Sequence, residues 1–221
     1  MKRKAIAIDG PSASGKSTIA RILSKRLQMP YLDTGAMYRA VTLYCLEAGL
    51  DPANEEAVQA VLEKIHLSFA GDRLLLNGVD RTDALRSDVV TDQVSQISAY
   101  PAVREKLVDQ QRQIAAGPEG AILDGRDIGT VVLPDARLKI FLTASLDVRT
   151  GRRFHDEKAH SARSYEALKE SIRKRDEDNE TRKLAPLKQA SDAILVDSSE
   201  KSIDEVAQEI EQLWKEASCT E

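Results

Sequence analysis

Five short apolar runs, at residues 5–9, 31–33, 121–124, 138–142 and 193–197, punctuate the chain. They are too short for helices and show no strict alternation. Strands buried on both faces of a parallel sheet have this character. Four of the five end in aspartate. The segments between them carry helical periodicity. Residues 16–27 place Ile19, Ile22 and Leu23 on one face, and residues 36–48 place Met37, Val41, Tyr44 and Cys45 together. Near the C-terminus, Ile203, Val206, Ala207, Ile210, Leu213 and Trp214 form an amphipathic stripe, with Trp214 read as a core or edge anchor. Strand and helix in alternation predict an α/β fold with a five-stranded parallel sheet flanked by helices. Ligands bind such sheets beyond the carboxyl ends of the strands, where the aspartates gather.

Two stretches depart from this rhythm. Residues from about 50 to 116 are too long and too mixed for one crossover helix. Within them residues 54–64 and 103–114 read as helices, and residues 66–69 and 74–76 as a hairpin around Ala70-Gly71-Asp72. Asn77-Gly78 is a second turn signal. This stretch is expected to be an inserted subdomain of a single domain. Residues 149–182 are dominated by Arg, Lys, Asp and Glu, which suits a solvated helical hairpin or a lid that closes over phosphates.

Composition narrows the function. The 221 residues are 42% hydrophobic and 31% charged, as in a globular chain with a packed core. Aromatic residues make up 4%, a poor basis for stacking nucleic-acid bases, and the net charge of -4 gives no general attraction to nucleic acid or to anionic membranes. The two cysteines, Cys45 and Cys219, form no paired motif, and Cys45 reads as a core residue. His66, His155 and His160 show no metal-ligand spacing. The apolar run behind the basic N-terminus is too short for a signal peptide, so a cytoplasmic chain is expected, and a monomer with it.

The chemistry begins at Gly10-Pro11-Ser12-Ala13-Ser14-Gly15-Lys16-Ser17-Thr18, which matches G-x-x-x-x-G-K-[ST] directly after a strand and before a helix. Glycines let successive backbone N–H groups turn inward, and the helix start adds partial positive charge. Lys16 can then reach the β- and γ-phosphates of ATP, and the Ser17 hydroxyl can ligate Mg²⁺. Such a loop alone does not separate kinase, GTPase and ATPase.

Arginines make the separation. Asp33-Thr34-Gly35-Ala36-Met37-Tyr38-Arg39 follows the second strand, and Asp124-Gly125-Arg126-Asp127 follows the third. Transfer between two polyanions needs cations at the acceptor as well as at the donor, and guanidinium groups suit phosphate oxygens. Arg39 and Arg126 are therefore read as functional, with Arg104, Arg149, Arg152, Arg153 and Arg182 as further candidates.

These segments resemble the bacterial cytidylate kinases of the nucleoside monophosphate kinase family, nearly end to end. The resemblance rests on IDGPSASGKST at 8–18, LDTGAMYRAVT at 32–42, LDGRDIGTVVLPDA at 123–136, KIFLTAS at 139–145 and RKLAPLKQASDAILVD at 182–197. It implies transfer of the γ-phosphoryl group of ATP to CMP or dCMP, in line and without a covalent intermediate. By the same resemblance Ser95, Arg104 and Asp127 contact cytosine, and Arg39, Arg126 and Arg182 hold the CMP phosphate, with Asp33 and Thr34 at the same edge. Lys16 and Arg126 act on the migrating group together with the family's lid arginines, which correspond to some of Arg149, Arg152 and Arg153, with Arg149 and Arg153 taken first, and residues 197–199 lie near the ATP base. One position departs from the family pattern. Where its members carry an aspartate for the acceptor ribose, this chain has Asn179, so either Asn179 substitutes or a one-residue shift brings in Asp178. Two other readings are a P-loop kinase for another small acceptor such as UMP, and a nucleotide-binding switch; no NKxD-type motif supports the latter.

Overall fold

The computed structural model describes residues 2–156 and 164–219. His160 lies outside them, as does part of the 149–182 stretch. The chain divides into two compact units: residues up to Asp33 together with those from Gln111 onward, and Thr34–Gln110.

The first unit is built on five parallel strands, β1 (Arg3–Asp9), β2 (Tyr31–Asp33), β6 (Ala121–Gly125), β7 (Ala136–Thr143) and β8 (Ile194–Asp197), in the order β2-β6-β1-β7-β8. All five predicted strands are present. The register sets Asp9 beside Gly125 and Phe141, Asp33 beside Asp124, and Asp197 beside Thr143. The acidic strand ends thus lie along one edge of the sheet. Helix α1 (Lys16–Leu27) and helix α8 (Ile203–Cys219) pack together. Ile19, Leu23, Val206, Ile210 and Trp214 join Ile6, Ile8 and Ile140 of the strands in one buried cluster. Trp214 is a core residue, with the Arg137 guanidinium 5.6 Å from its ring centre. Helices α6 (Leu146–His155) and α7 (Tyr165–Thr181) pack against each other.

The second unit holds α2 (Thr34–Glu47), α3 (Glu55–Val61), a three-stranded antiparallel sheet, helix α4 (Asp88–Ile97) and most of α5 (Pro101–Ala115). The sheet is β3 (Leu67–Ala70), β4 (Arg73–Leu76) and β5 (Val79–Asp80) in that order. Asn77 and Gly78 both have positive φ, 51° and 80°, as the tight turn between β4 and β5 demands. This unit starts at Thr34, where the sequence suggested about residue 50. Helix α2 belongs to it because α2 packs on α4 and β4 and buries Met37, Val41 and Cys45. No helix of the described residues is long and apolar enough to cross a membrane.

Gly10 lies hard against the backbone of β7. Its φ is +150°, and a Cβ added there would stand 2.0 Å from the Leu142 carbonyl oxygen of β7. Gly10→Ala is expected to cost about 2–3 kcal/mol, read as a lowered urea midpoint. A wild-type midpoint would mean that β7 yields freely, against the packing described.

Candidate active site

The phosphate loop runs from the end of β1 into α1. Ala13 and Gly15 take φ of 61° and 93°, the left-handed region, which turns the chain back on itself before the helix. No side chain caps the N-terminus of α1 at Gly15, so its leading amides keep their partial positive charge for an anion. Lys16 is 6% exposed, and its Nζ donates to Pro11 O at 2.6 Å and to Ser14 Oγ at 3.2 Å. Burial, and next the Arg126 guanidinium, hold the Lys16 ammonium well below its ordinary pKa, against the pull of Asp124, Asp176 and Asp9.

Carboxylates surround this lysine. Asp124 accepts from Ser17 Oγ at 2.8 Å and from Tyr31 OH at 2.9 Å. Burial raises its pKa, followed by the negative charge of Asp33, its register partner on β2. Burial and then Asp124 raise the Tyr31 hydroxyl as well. Asp9 Oδ1 and Oδ2 accept from the backbone N–H groups of Ile128 and Gly129, both at 2.7 Å. Those residues open a wide π-helical turn, Ile128–Val132. Asp9 thereby ties the phosphate-loop strand to the segment that carries Arg126 and Asp127.

Among the predicted residues of the first unit, Arg126 Nη2 donates to Ser12 Oγ at 3.1 Å. Asp127 is buried and pairs with Arg182 Nη2 at 3.2 Å, while Arg182 Nε donates to Ala185 O at 2.7 Å. Arg149 is buried: its Nη1 donates to Ser12 O at 2.9 Å and to Asp176, and its Nε to Ala144 O at 2.9 Å. Arg152 donates to Ser198 Oγ and Ser198 O at 2.9 Å and 2.6 Å, which fastens α6 to the loop after β8. Arg153 is half-buried on α6. Asn179 is buried, with its Nδ2 donating to Arg175 O, whereas the neighbouring Asp178 is exposed.

Within the second unit, Arg104 is 4% exposed, donates to Ser98 O at 3.3 Å and lies over the Tyr38 ring at 5.9 Å. The Ser98 hydroxyl donates to Ser95 O at 2.8 Å, so Ser95, Ser98, Arg104 and Tyr38 form one cluster. Thr34 is buried and Arg39 half-buried on α2. His66 and His155 are exposed, and no group of three or more His, Cys, Asp or Glu among the described residues could hold a metal ion.

Three participants were given no role from the sequence. Asp9 and Asp124 appeared as strand-end aspartates within the 8–18 and 123–136 segments, and Asp176 is one acid in a charge-rich stretch. A cavity of about 350 Å³ adjoins the loop and includes Pro11, Thr143, Arg149, Arg173, Asp176 and Glu177 in its lining. Its mixed charges make it a poorer phosphate site than the amides and Lys16 of the loop.

Burial raises the Asp9 pKa from an ordinary 3.8 to about 7, with its two N–H donors opposing the shift. Between about pH 4 and pH 7 the folded chain keeps a proton that the unfolded chain has lost, so this group's contribution to stability declines as pH rises through that window. Wild-type stability relative to Asp9→Asn is expected to fall from pH 4 to pH 7 and then level off, as read by urea midpoints. A gap moving in the wild type's favour over that range would contradict the buried, raised carboxyl.

A family model described as cytidylate kinase matches residues 6–216. A cytidylate kinase of Mycolicibacterium paratuberculosis is 45% identical over 218 residues, 96% of either chain. One of Lactococcus lactis is 47% identical over 221 residues, 98% of this chain and 99% of the relative. A gluconokinase structure from Sinorhizobium meliloti superposes with a TM-score of 0.53 at 12% identity, covering 99% of this chain and 97% of that one, which shows a shared fold. With the family's match running from the first strand to the last helix, over a loop and a sheet edge built as described, the chain belongs to the cytidylate kinase family.

Proposed function

We propose that this chain transfers the γ-phosphoryl group of ATP to CMP or dCMP, giving ADP and CDP or dCDP, through the residues assigned below. The observation that carries the assignment is Arg126 donating to Ser12 of the phosphate loop at 3.1 Å. A cation suited to the acceptor phosphate thus stands at the cradle suited to the donor.

Gly10 to Thr18 hold the ATP phosphates, with Lys16 on the β- and γ-phosphates. Ser17 and Asp124 offer a hydroxyl and a carboxylate 2.8 Å apart, hard oxygen donors that fit Mg²⁺. These two residues would hold the ion, which when bound supplies neutralisation of charge on the phosphates. Arg39, Arg126 and Arg182 bind the CMP phosphate. Asp33 and Thr34 line the acceptor side. Ser95, Arg104 and Asp127 contact cytosine, and Asn179 the ribose. Residues from about 149 to 182 act as a lid, and from it Arg149 and Arg153 act on the migrating group.

An oxygen of the CMP phosphate attacks the γ-phosphorus in line as the bond to the β-phosphate oxygen breaks. That oxygen is already anionic, so no general base is required. Positioning and charge neutralisation supply the rate. Lid closure excludes water and limits ATP hydrolysis. The Asp127 carboxylate accepts from the cytosine 4-amino group, whereas uracil presents a carbonyl oxygen there and leaves the two acceptors opposed.

A coupled assay with CMP, dCMP, UMP and AMP tests the substrate. CMP and dCMP are expected to lead, and AMP turned over as well as CMP would overturn the cytosine assignment. Asp127→Asn is expected to shrink the CMP-over-UMP ratio by about two orders of magnitude, and an unchanged ratio would remove Asp127 from base recognition. Lys16→Ala should lower kcat by about 10³-fold while the chain stays folded by circular dichroism. Full turnover by that variant would reject the loop's role.

A further inference from the structure

Ser12 is the third residue of the phosphate loop, and a different part of the chain engages each of its polar atoms. Its N–H donates to Asp176 Oδ1 at 2.7 Å. Its carbonyl oxygen accepts from Arg149 Nη1 at 2.9 Å, and its hydroxyl oxygen from Arg126 Nη2 at 3.1 Å. The same Arg149 nitrogen also donates to Asp176 Oδ2, which closes a ring through Ser12, Asp176 and Arg149. All three members are buried, at 3%, 8% and 9% exposure respectively.

A buried charge pair of this kind is a costly way to obtain stability, since apolar packing of equal volume does as well or better. It does fix direction: a carboxylate with one oxygen on an amide and the other on a guanidinium has no freedom left. Asp176 lies on α7, and the chain is fastened a second time just past the end of that helix, where Arg182 pairs with Asp127 at 3.2 Å. The stretch of helix from Asp176 to its end at Thr181 spans about 7–8 Å. The helix therefore spaces the donor loop, held at Asp176, from the base-reading aspartate, held at Arg182. Ser12 passes this placement on to Arg126 through its hydroxyl.

We propose that Asp176 is a positioning residue for phosphoryl transfer, which binds the Ser12 N–H and Arg149 together and so sets the phosphate loop in register with Arg126. It touches no reacting atom. The proposal rests on the phosphotransferase reading above. A misplacement of the reacting groups by about 1 Å can cost on the order of 10²-fold in rate. ATP binding depends on the remaining loop amides and Lys16, which Asp176 does not replace.

The test uses the full chain with Asp176→Asn and Asp176→Ala, with ATP and CMP varied independently and melting followed in parallel. Asn keeps an oxygen for the Ser12 N–H but loses the charge facing Arg149, whereas Ala loses both. Expected are a kcat lowered about tenfold in Asp176→Asn and about a hundredfold in Asp176→Ala, with KM for ATP within about threefold of wild type. If the Ala variant does not fold, the isosteric Asn variant carries the test. Combining Asp176→Asn with Ser12→Ala should lower kcat by less than the product of the two single effects, because both act through one serine. A kcat of Asp176→Asn within twofold of wild type, a loss confined to the melting temperature, or strictly multiplicative effects would overturn the role. Wild-type turnover of CMP in the same assay separates the two readings. Its absence overturns the phosphotransferase reading itself, and normal turnover beside an equally fast Asp176→Asn overturns only the role given to Asp176.

Discussion

A buried ammonium must be balanced by charge of opposite sign, and at Lys16 that requirement organises the first unit. The lysine is 6% exposed with the Arg126 guanidinium near enough to repel it. Asp124, Asp176 and Asp9 pull the other way and favour the Lys16 ammonium, against burial and Arg126. Each carboxylate arrives from a different element: Asp9 from β1, Asp124 from the adjacent β6, and Asp176 from α7. The parallel register of β1 and β6, with Ile8 beside Asp124 and Asp9 beside Gly125, brings the first two to the same end of the sheet, one residue out of step. A sheet of another order would leave the lysine without its counter-charges.

The same groups set the backbone around them. Asp9 draws in two N–H groups and so starts the wide turn at Ile128–Val132, which fixes the exit from the segment bearing Arg126 and Asp127. Asp124 gathers the Ser17 and Tyr31 hydroxyls. The side chains that balance Lys16 thus also aim the residues proposed to meet the acceptor and the metal, and electrostatic balance and geometry are one arrangement.

Much of this was legible in the sequence. The strand at 31–33 and the helix at 16–27 are found at their predicted bounds, because a short apolar run and a 3.6-residue stripe are local signals. The loop motif at 10–17 is equally local. Helix α4 was missed although Val90, Val94 and Ile97 keep the spacing of one helical face, because the signal lies inside a stretch that mixes helix, strand and turn patterns. The π-helical turn at Ile128–Val132 carried no signal of its own in the sequence, because the carboxylate that shapes it stands 119 residues earlier in the chain. The start of the second unit at Thr34 was illegible for a like reason, since the packing of α2 on α4 is a long-range fact. Asp176 was hidden in a run of charges, where only its partner Ser12, 164 residues away, distinguishes it from its neighbours. Tertiary hydrogen bonds leave no period in the sequence.

The central claim is that donor and acceptor phosphates meet between the loop amides with Lys16 on one side and guanidinium groups on the other. A crystal structure with CMP and a non-hydrolysable ATP analogue tests it most directly. The account predicts Lys16 Nζ and the loop amides on the β- and γ-phosphates, and Arg126 within hydrogen-bonding distance of the CMP phosphate. Phosphates bound elsewhere, with Arg126 turned away from the acceptor, would contradict it.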